Sequence, residues 1–459
     1  MTTSAVGRRE IRQPSFLIPT PTSPPSVPFQ MPPKNAGKGG GKGASATDTA
    51  ANAEANASLQ SAADDSHVRT GPRLTWTGPV APASGPAVAR SHNVAGMWDG
   101  RLWVIGGLCG TTSKSAVSSV GVQSYDFPTH SWTVVGVSGS PHPALTQCAG
   151  AIVDHAEHRG AMVVVGGWNG RSRVSTTSLF NLETCQWHAV PTTGDRPPPI
   201  TFHTCTAVGR RLVVVGGNTV DGQTCDVFIL DTASWHWNTV PSSVGAPAKR
   251  SSHTATLLHD SHIVVIGGRG AGDTTQALGD VAVFDLSGSQ WLIGVRVEGQ
   301  LPPRYGHSAV AVGNDIVVFG GVGDQGQLLN DVWLLNCEKP QLLTWSKAVT
   351  TPTPANTATN NAASPVLTVV PPPAAQAAPP QGVPSGRAGC TIIDAMNAVY
   401  VFGGRTDALA QRSSAELWHL DCTALTPTGC GGVTGGPASP GGHDGDNNSQ
   451  DGSRTPSDN

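Results

Sequence analysis

One short pattern, an apolar run that ends in two glycines, occurs six times in this chain of 459 residues and limits its fold more than any other feature. Successive second glycines lie 60, 50, 51, 53 and 83 residues apart, so the period is close to 50 residues. The largely β-branched runs predict strands covered on both faces, and each glycine pair predicts a strand end with positive φ. The six runs are residues 102–107, 162–167, 212–217, 263–268, 316–321 and 399–404.

A tryptophan follows five of the glycine pairs by 20 to 25 residues and marks a further strand of each repeat. The sixth repeat has no tryptophan at this spacing, whereas Trp76 precedes the first repeat without a glycine pair of its own. A circular array that takes its last strand from the N-terminal side leaves no exposed sheet edge. The pattern therefore predicts six blades, one of them split between residues 74–78 and 387–422. The recurrent tryptophans are Trp76, Trp132, Trp187, Trp237, Trp291 and Trp345.

The order of buried run, glycine pair, strand with a terminal aspartate, and tryptophan resembles the kelch repeat of β-propellers. The resemblance covers about residues 70–422. It implies an all-β fold, a six-bladed kelch β-propeller with four antiparallel strands in each blade. The aspartates that end the third strands are expected to accept hydrogen bonds from backbone amides in the turns. These aspartates are Asp126, Asp231, Asp285 and Asp421.

Three segments have compositions that are typical of disorder. Residues 1–70 are rich in Pro, Ala and Gly, residues 423–459 are rich in Gly, Ser and Asp, and residues 349–383 form a Thr/Pro/Ala run within the last repeat interval. Such segments bury too little apolar surface to offset the entropy lost on ordering. We therefore predict a propeller over residues 71–422 with a disordered insertion at 349–383 and two disordered tails.

Composition and charge exclude several functional classes. The net charge of −3 offers no basic surface for nucleic acid, and no run of about 18 apolar residues is present to span a membrane. The nine cysteines form no CxxC pair and are expected to be reduced. The sequence therefore predicts a monomer in the cytosol or nucleus that binds no nucleic acid, membrane, metal or cofactor.

A polar motif precedes each glycine pair and begins the innermost strand, and in four repeats it contains an arginine. In kelch adaptors the corresponding arginines often meet an acidic peptide, so the resemblance makes these residues candidate partner contacts. The alternative is that they bond backbone carbonyls of neighbouring blades, and the sequence does not choose between the two. The motif's histidines are expected to be structural. The arginines are Arg90, Arg250, Arg304 and Arg387.

The loops that follow the glycine pairs differ from one another and should lie on the same face as these arginines. One loop carries Trp168, Arg171 and Arg173, and another carries Arg269. Dissimilar loops on a regular scaffold usually carry function, and a tryptophan beside two arginines has the composition of an interface hot spot. Packing of Trp168 against its own blade is the alternative. The loop-bearing face is therefore predicted to bind a protein partner, with an acidic segment as the expected ligand.

A kelch-propeller enzyme or small-molecule binder with a site at the channel mouth is the competing hypothesis. Copper oxidases that resemble galactose oxidase need ligand tyrosines and histidines, but this chain has three tyrosines, of which Tyr125 and Tyr400 occupy strand positions. No Ser-His-Asp or paired-carboxylate signal stands out. The acid–histidine cluster at residues 154–158 falls in a predicted hairpin tip and is expected to be a solvated turn. We therefore predict a non-enzymatic scaffold or adaptor.

Overall fold

The structure is a computed structural model that describes most of the predicted propeller. Residues 1–67, 354–381 and 426–459 lie outside the described residues, so the disorder expected there stays a prediction. Among the residues that are described, no helix combines the length and apolar character that crossing a bilayer requires. The described ranges are 68–109, 121–143, 145–241, 243–271, 276–353, 382–407 and 412–425.

The first half of the described chain begins with strand β1 (Thr70–Thr77), which pairs with strands from the end of the chain, and then forms the first three blades. Blade 1 contains β2 (Val94–Trp98), β3 (Arg101–Ile105), β4 (Val122–Asp126) and β5 (Ser131–Val135). After β6 (Ser138–Gly139), blade 2 contains β7 (Ala149–Val153), β8 (Ala161–Val165), β9 (Thr177–Asn181) and β10 (Gln186–Ala189). After β11 (Thr193–Gly194), blade 3 contains β12 (Thr204–Val208), β13 (Arg211–Thr219), β14 (Gly222–Asp231) and β15 (His236–Val240).

The second half supplies three more blades and one short 3-10 helix. After β16 (Arg250–Ser251), blade 4 contains β17 (Thr254–Leu258), β18 (His262–Gly270), β19 (Ala277–Asp285) and β20 (Gln290–Trp291). Two short strands follow, β21 (Arg296–Glu298) and β22 (Arg304–Tyr305). Blade 5 contains β23 (Ser308–Val312), β24 (Asp315–Phe319), β26 (Val332–Lys339) and β27 (Leu342–Pro352), with β25 (Val322–Gly323) in a loop. Blade 6 contains β28 (Thr391–Ala395), β29 (Ala398–Phe402) and β30 (Leu417–Asp421), and the 3-10 helix Thr423–Leu425 follows.

The ring closes through the N-terminal strand. Strand β1 pairs antiparallel with β30, with Trp76 opposite Leu420, and so becomes the fourth strand of blade 6. The six inner strands contact one another in sequence, and β28 contacts β2 to complete the circle. The predicted all-β, six-bladed propeller with one split blade is therefore confirmed.

The links between blades add a strand that the sequence analysis did not foresee. Strand β6 pairs in parallel with β10, β11 with β15, and β21 with β27, so each link covers the outer edge of the next blade. A glycine with positive φ sits in these links, and a Cβ on Gly139 or Gly194 would collide with the carbonyl of Trp187 or Trp237. A link can therefore pair beside the recurrent tryptophan of the next blade only where it has a glycine at this position.

Ordered structure continues past three of the boundaries drawn from composition. Strand β27 reaches Pro352 because its end pairs in parallel with β1, with Thr350 opposite Leu74, so the predicted insertion does not begin at residue 349. Arg69 forms an ion pair of 2.7 Å with Glu298. Leu425, in the 3-10 helix, packs against the core of blades 5 and 6. Long-range pairing thus orders segments whose composition alone is typical of disorder.

The core consists of six apolar clusters between adjacent blades, and each cluster contains one recurrent tryptophan. All six of these tryptophans are buried, which confirms that they fill the gaps between wedge-shaped sheets. The terminal aspartates also act as predicted: Asp231 Oδ1, for example, accepts a hydrogen bond of 2.8 Å from the Ala233 amide. The sequence pattern therefore identifies the parts of the repeat that hold the blades together.

The glycine pairs have positive φ in all six blades, as predicted. In blades 2, 3 and 4 the first glycine of the pair packs against the histidine at the start of the next inner strand. A Cβ on Gly216 would stand 2.7 Å from Cε1 of His253, which is closer than carbon atoms approach. The glycine pair thus admits the imidazole that wedges between blades 3 and 4.

Gly216→Ala is expected to lower the free energy of unfolding by about 2 to 4 kcal/mol, because overpacking against His253 adds to the conformational cost of a side chain at positive φ. Gly209→Ala is the matched control, since the φ of Gly209 is +56° against +57° for Gly216 but no atom lies within 4 Å of its Cβ position. The control is expected to cost about 1 to 2 kcal/mol. Urea denaturation measures both variants, and equal losses would contradict the packing role.

Candidate functional site

The connections between strands divide between the two ends of the propeller. Within a blade the strands alternate in direction, so the glycine-pair loops and the links between blades share one end. We name this end the loop face. The hairpins that join first and second strands lie at the other end, which we name the hairpin face. The partner-binding residues predicted from the sequence all lie toward the loop-face end of their blades.

The four arginines of the polar motif lie beneath the loop face rather than on it. Each has 0% of its surface exposed, and each Nη1 donates a hydrogen bond to the carbonyl of the first glycine in its own blade, at 2.9 to 3.1 Å. The second guanidinium nitrogen binds a polar side chain at the start of the third strand. These pairs are Arg90–Gln123, Arg250–Asp280, Arg304–Asp331 and Arg387–Glu416.

The pair in blade 5 shows how strongly these arginines are held. Arg304 donates to both carboxylate oxygens of Asp331, at 2.7 and 2.9 Å, and Trp333 Nε1 donates to the same carboxylate at 2.7 Å. Burial alone would raise the pKa of Asp331, but the hydrogen bonds and charge of Arg304 lower it below its usual value. Asp331 therefore stays ionised and neutralises the buried guanidinium.

This arrangement corrects the interpretation of the arginines as partner contacts. Arg90, Arg250, Arg304 and Arg387 have no exposed surface, and their hydrogen bonds are made inside the protein. The arginines instead donate hydrogen bonds to backbone carbonyls, which is the alternative that the sequence left open. Each side chain reaches a carbonyl of its own blade rather than that of a neighbouring blade. The four residues tie the glycine pair to the third strand and serve the fold.

Blade 2 reaches the same result with a histidine that the sequence analysis did not identify. Leu145 occupies the position of the arginine, and the buried His142 takes over its bonds. Its Nε2 lies 2.8 Å from the Gly166 carbonyl oxygen and its Nδ1 lies 2.9 Å from Ser178 Oγ. Burial lowers the pKa of His142 to about 4, so the ring is neutral. The repeat pattern does not reveal His142, because it lies three positions before Leu145, the position that the arginine occupies in other repeats.

The central channel opens on the loop face through a ring of six residues, one from each blade. Every residue in this ring has positive φ, and backbone hydrogen bonds link neighbours: Phe202 N donates to Gln147 O at 3.1 Å, and Ser252 N donates to Phe202 O at 2.9 Å. Below it the channel has a volume of about 290 Å³. We name this set the mouth ring: His92, Gln147, Phe202, Ser252, Gly306 and Gly389.

The histidines that follow the mouth ring are buried between blades, which supports their structural role. His253 Nε2 lies 3.3 Å from Thr204 Oγ1 of the preceding blade, and His307 Nε2 lies 3.0 Å from Thr254 Oγ1. Burial lowers the pKa of both rings to about 3, and the neighbouring arginines add to the shift. These imidazoles are therefore neutral wedges between sheets.

A second ring surrounds the mouth and consists of the residues that directly follow the glycine pairs. Each pairs by its backbone with the residue after the motif arginine or its replacement, which holds it at a fixed place on the loop face. Trp168, Arg269 and Arg405 are half-buried members of this ring. The full set, the outer ring, is Leu108, Trp168, Asn218, Arg269, Val322 and Arg405.

Two predicted contact residues occupy this ring, and the sequence analysis missed a third. Trp168 and Arg269 were predicted, whereas Arg405 was not, although it stands directly after a glycine pair as Arg269 does. Burial lowers the pKa of His92 to about 4, and the charge of Arg405 contributes, which places this guanidinium near the mouth ring. Position relative to the glycine pair is the signal that identifies Arg405.

The remaining predicted contacts extend the outer ring over blade 2. Arg171 is exposed, while Arg173 is half-buried and pairs with Trp168 through the backbone. The Asn218 amide oxygen accepts a hydrogen bond of 3.2 Å from Arg173 Nη2 in the amide orientation that satisfies both polar atoms. Arg173 Nε is buried without a hydrogen-bond partner. Trp168 thus packs on its own blade and also borders the mouth.

The acid–histidine cluster lies on the hairpin face and is more ordered than a solvated turn. His155 stacks on Trp235 at 5.5 Å, His158 lies 5.0 Å from His155, and His188 stacks on His158 at 5.2 Å. In the part of the chain that the structure describes, no three His, Cys, Asp or Glu side chains are placed to hold a metal ion.

The closed ring of four-stranded blades, the six glycine pairs and the arginines buried below the mouth ring in four blades define a repeat-type β-propeller with a recessed channel mouth. A family model described as the KLHDC2/KLHL20/DRC7 Kelch-repeats domain matches residues 60–217 and 110–302. A Kelch motif model matches residues 303–349. Together these matches span most of the propeller. The chain belongs to the kelch-repeat family.

Similarity to curated proteins is limited to short stretches. Kelch domain-containing protein 10 of Rattus norvegicus is 29% identical over 113 residues, which are 24% of this chain and 25% of the relative. The Homo sapiens protein of that name is also 29% identical over 113 residues, 23% of its length. The tRNA wybutosine-synthesizing protein 2/3/4 of Oryza sativa is 42% identical over 60 residues, 13% of this chain and 6% of the relative. The chain thus matches at most a quarter of these relatives' length.

Proposed function

We propose that this protein is a scaffold or adaptor whose loop face binds an acidic segment of a protein partner through the outer ring. The observation that carries the proposal is the position of Arg269 and Arg405 beside the channel mouth, each half-buried and fixed by backbone pairing. A guanidinium can bind a carboxylate through two parallel hydrogen bonds, and pre-ordered contacts lose little entropy on binding. Kelch repeats commonly mediate protein–protein interaction, which fits this role.

A binding role is favoured over catalysis because the groups that line the mouth ring lack the features of a reacting set. His203, His253 and His307 are buried between blades with lowered pKa values, and the motif arginines are held in internal hydrogen bonds. Catalysis needs a base or nucleophile within reach of a substrate atom. We therefore propose that the protein acts by binding.

We further propose that the protein works in the cytosol or the nucleus. All eight cysteines that the structure describes are free of disulfides. Extracellular and secretory compartments favour disulfide formation, whereas cytosolic thiols are kept reduced. The buried cysteines then serve as small apolar residues, and burial raises the pKa of the Cys148 thiol to about 12.

Arg269→Glu combined with Arg405→Glu is expected to remove partner binding without unfolding the propeller. Two reversed charges replace attraction of an acidic segment by repulsion, and each lost charged contact of this kind weakens binding by about 2 kcal/mol or more, roughly thirtyfold. Affinity capture from native lysate with quantitative mass spectrometry compares the variant with the wild type. Circular dichroism and thermal melting establish that both are folded.

The matched control is Arg159→Glu combined with Arg210→Glu, which reverses two exposed arginines on the hairpin face. This control has the same change of net charge and should retain every partner that the wild type captures. Loss of the same partners from both variants would show that net charge, and not the loop face, governs binding. Retention of all partners by the loop-face variant would overturn the proposal.

A further inference from the structure

The mouth ring contains four side chains in a backbone conformation that glycine adopts more easily. His92, Gln147, Phe202 and Ser252 have φ values of +52°, +56°, +55° and +54°. A residue with a Cβ is strained in this region, and a side chain as large as phenylalanine is rarely found there. The two remaining positions are glycines, with φ values of +62° and +63°, so the same backbone is compatible with glycine.

Two of the four strained side chains make no hydrogen bond that would explain their presence. The Gln147 and Ser252 side chains form no hydrogen bond to any other residue in the described ranges. The rings of His92 and Phe202 contact each other edge to face at 5.6 Å across the channel. Strain that the internal contacts do not account for is characteristic of functional positions.

The mouth is open over blade 5 and lined elsewhere. Blades 1 to 4 contribute the four side chains, whereas blades 5 and 6 contribute Gly306 and Gly389, and the His92 imidazole covers Gly389, where a Cβ would lie 2.7 Å from its Cε1. A Cβ on Gly306 would have no neighbour closer than 3.7 Å, so free space adjoins this glycine. The channel volume of about 290 Å³ is at the lower limit of ligand pockets, about 300 Å³, and suits one side chain rather than a whole ligand.

The mouth ring is uncharged, unlike the outer ring. Its lined side consists of a phenyl ring, an amide, a hydroxyl and a neutral imidazole, since burial lowers the pKa of His92 to about 4. Placing an ionised side chain among these groups would remove its hydration without supplying a counter-charge. The cations, Arg269 and Arg405, stand outside the mouth.

From this geometry we infer that the mouth ring is a specificity pocket for one uncharged, largely apolar side chain of the partner. The side chain enters over Gly306 and packs against Phe202 and His92, while acidic residues on either side of it meet the outer ring. This inference rests on the proposed function, because it assumes that an acidic segment crosses the loop face. The recognised sequence is thus an apolar residue flanked by acidic residues.

The test uses fluorescein-labelled, C-terminally amidated peptides of the form Glu-Glu-Ser-X-Ser-Glu-Glu, in which X is Leu, Phe, Gln, Gly, Asp or Lys. Fluorescence polarisation measures the dissociation constant of each peptide for the full chain. We expect Leu or Phe at X to bind about tenfold or more tightly than Gly or Asp, because the pocket buries the apolar side chain. In Phe202→Gly this preference should fall to about threefold or less, while binding of the Gly peptide is unchanged.

A second variant fills the pocket instead of emptying it. Gly306→Asn adds a side chain at the open side, and asparagine tolerates positive φ. It should weaken binding of the Phe peptide about tenfold while leaving the Gly peptide unaffected. Thermal melting separates recognition from folding: Phe202→Gly and Ser252→Gly should melt at the wild-type temperature or above it, since glycine relieves the strain, whereas a structural role would lower it.

The outcomes distinguish this inference from the function on which it rests. If every acidic peptide binds with the same affinity whatever occupies X, the specificity pocket is refuted, while the proposed binding of an acidic segment by the loop face remains. If no acidic peptide binds, or if Arg269→Glu leaves binding unchanged, the proposed function fails first. A large fall in melting temperature for both glycine variants would assign the mouth ring to the fold and overturn the inference.

Discussion

Arg304→Ala is expected to lower the free energy of unfolding by about 3 kcal/mol, because it breaks a buried ion pair. The truncation removes hydrogen bonds to the Gly320 carbonyl and to both oxygens of Asp331. The truncation leaves the ionised Asp331 carboxylate without its cation. This carboxylate is 23% exposed, and its partial access to water keeps the loss of stability at the lower end of the range expected for breaking a buried ion pair. Urea denaturation followed by tryptophan fluorescence measures the change.

Two control variants show whether pairing or volume causes this loss. Arg171→Ala removes an exposed arginine from the same face and should change stability by less than about 0.5 kcal/mol. Arg304→Lys retains the charge but cannot donate to both carboxylate oxygens in the planar geometry of a guanidinium, so it should recover only part of the loss. A stable Arg304→Ala protein would contradict the assignment of the motif arginines to the fold.

Mild acid is expected to destabilise the propeller between about pH 6.5 and pH 4. Four buried histidines have lowered pKa values, about 4 for His142 and His203 and about 3 for His253 and His307, mainly because of burial. In the unfolded chain these rings take up a proton near pH 6.5, whereas in the folded chain they remain neutral. The unfolded state therefore binds more protons, and stability falls as the pH falls.

The expected slope is about 1.4 kcal/mol per pH unit for each histidine, or about 5 kcal/mol per unit for the four together. Urea midpoints at pH 7.5, 6.5 and 5.5 measure it. His307→Gln keeps a donor for Thr254 and removes one titrating group, so its slope should be about a quarter smaller. Equal stability at pH 7.5 and 5.5 would show that the histidines are protonated without loss of the blades. The carboxylates whose pKa is lowered, such as Asp331, lose their contribution only at still lower pH.

The sequence predicted the blade count because each blade repeats the same three features at nearly the same spacing. Trp76, which has no glycine pair of its own, identified the split blade, because a closed ring can take its last strand from the N-terminal side. Composition was less informative at the boundaries. Residues 349–352 resemble the Thr- and Pro-rich segment that follows, and only their pairing with β1 orders them. Pairing between distant strands is not visible in local composition.

The sequence predicted the loop face as the candidate site and included two members of the outer ring, Trp168 and Arg269, but it could not show that the motif arginines are buried. The motif arginines were recognised by position, whereas their partners lie 30, 27 and 29 residues downstream in blades 4, 5 and 6, so the spacing varies with the loop between. Without a constant spacing, burial of the guanidinium could not be distinguished from exposure. Arg405 could have been identified by its position after a glycine pair, whereas the strained mouth ring emerges only from the backbone φ values.

Closure by the N-terminal strand has a consequence for synthesis on the ribosome. Strand β1 is made before any blade, yet its partner β30 leaves the ribosome after all the others. At about 5–20 residues per second, the nascent chain carries an open seam for roughly 20 to 70 seconds. During that time the outer face of β1 and the sheet edges on both sides of the seam are available to chaperones, to proteases or to another nascent copy. The last step of propeller folding is therefore the pairing of β30 with β1, a strand that is translated before all six inner strands.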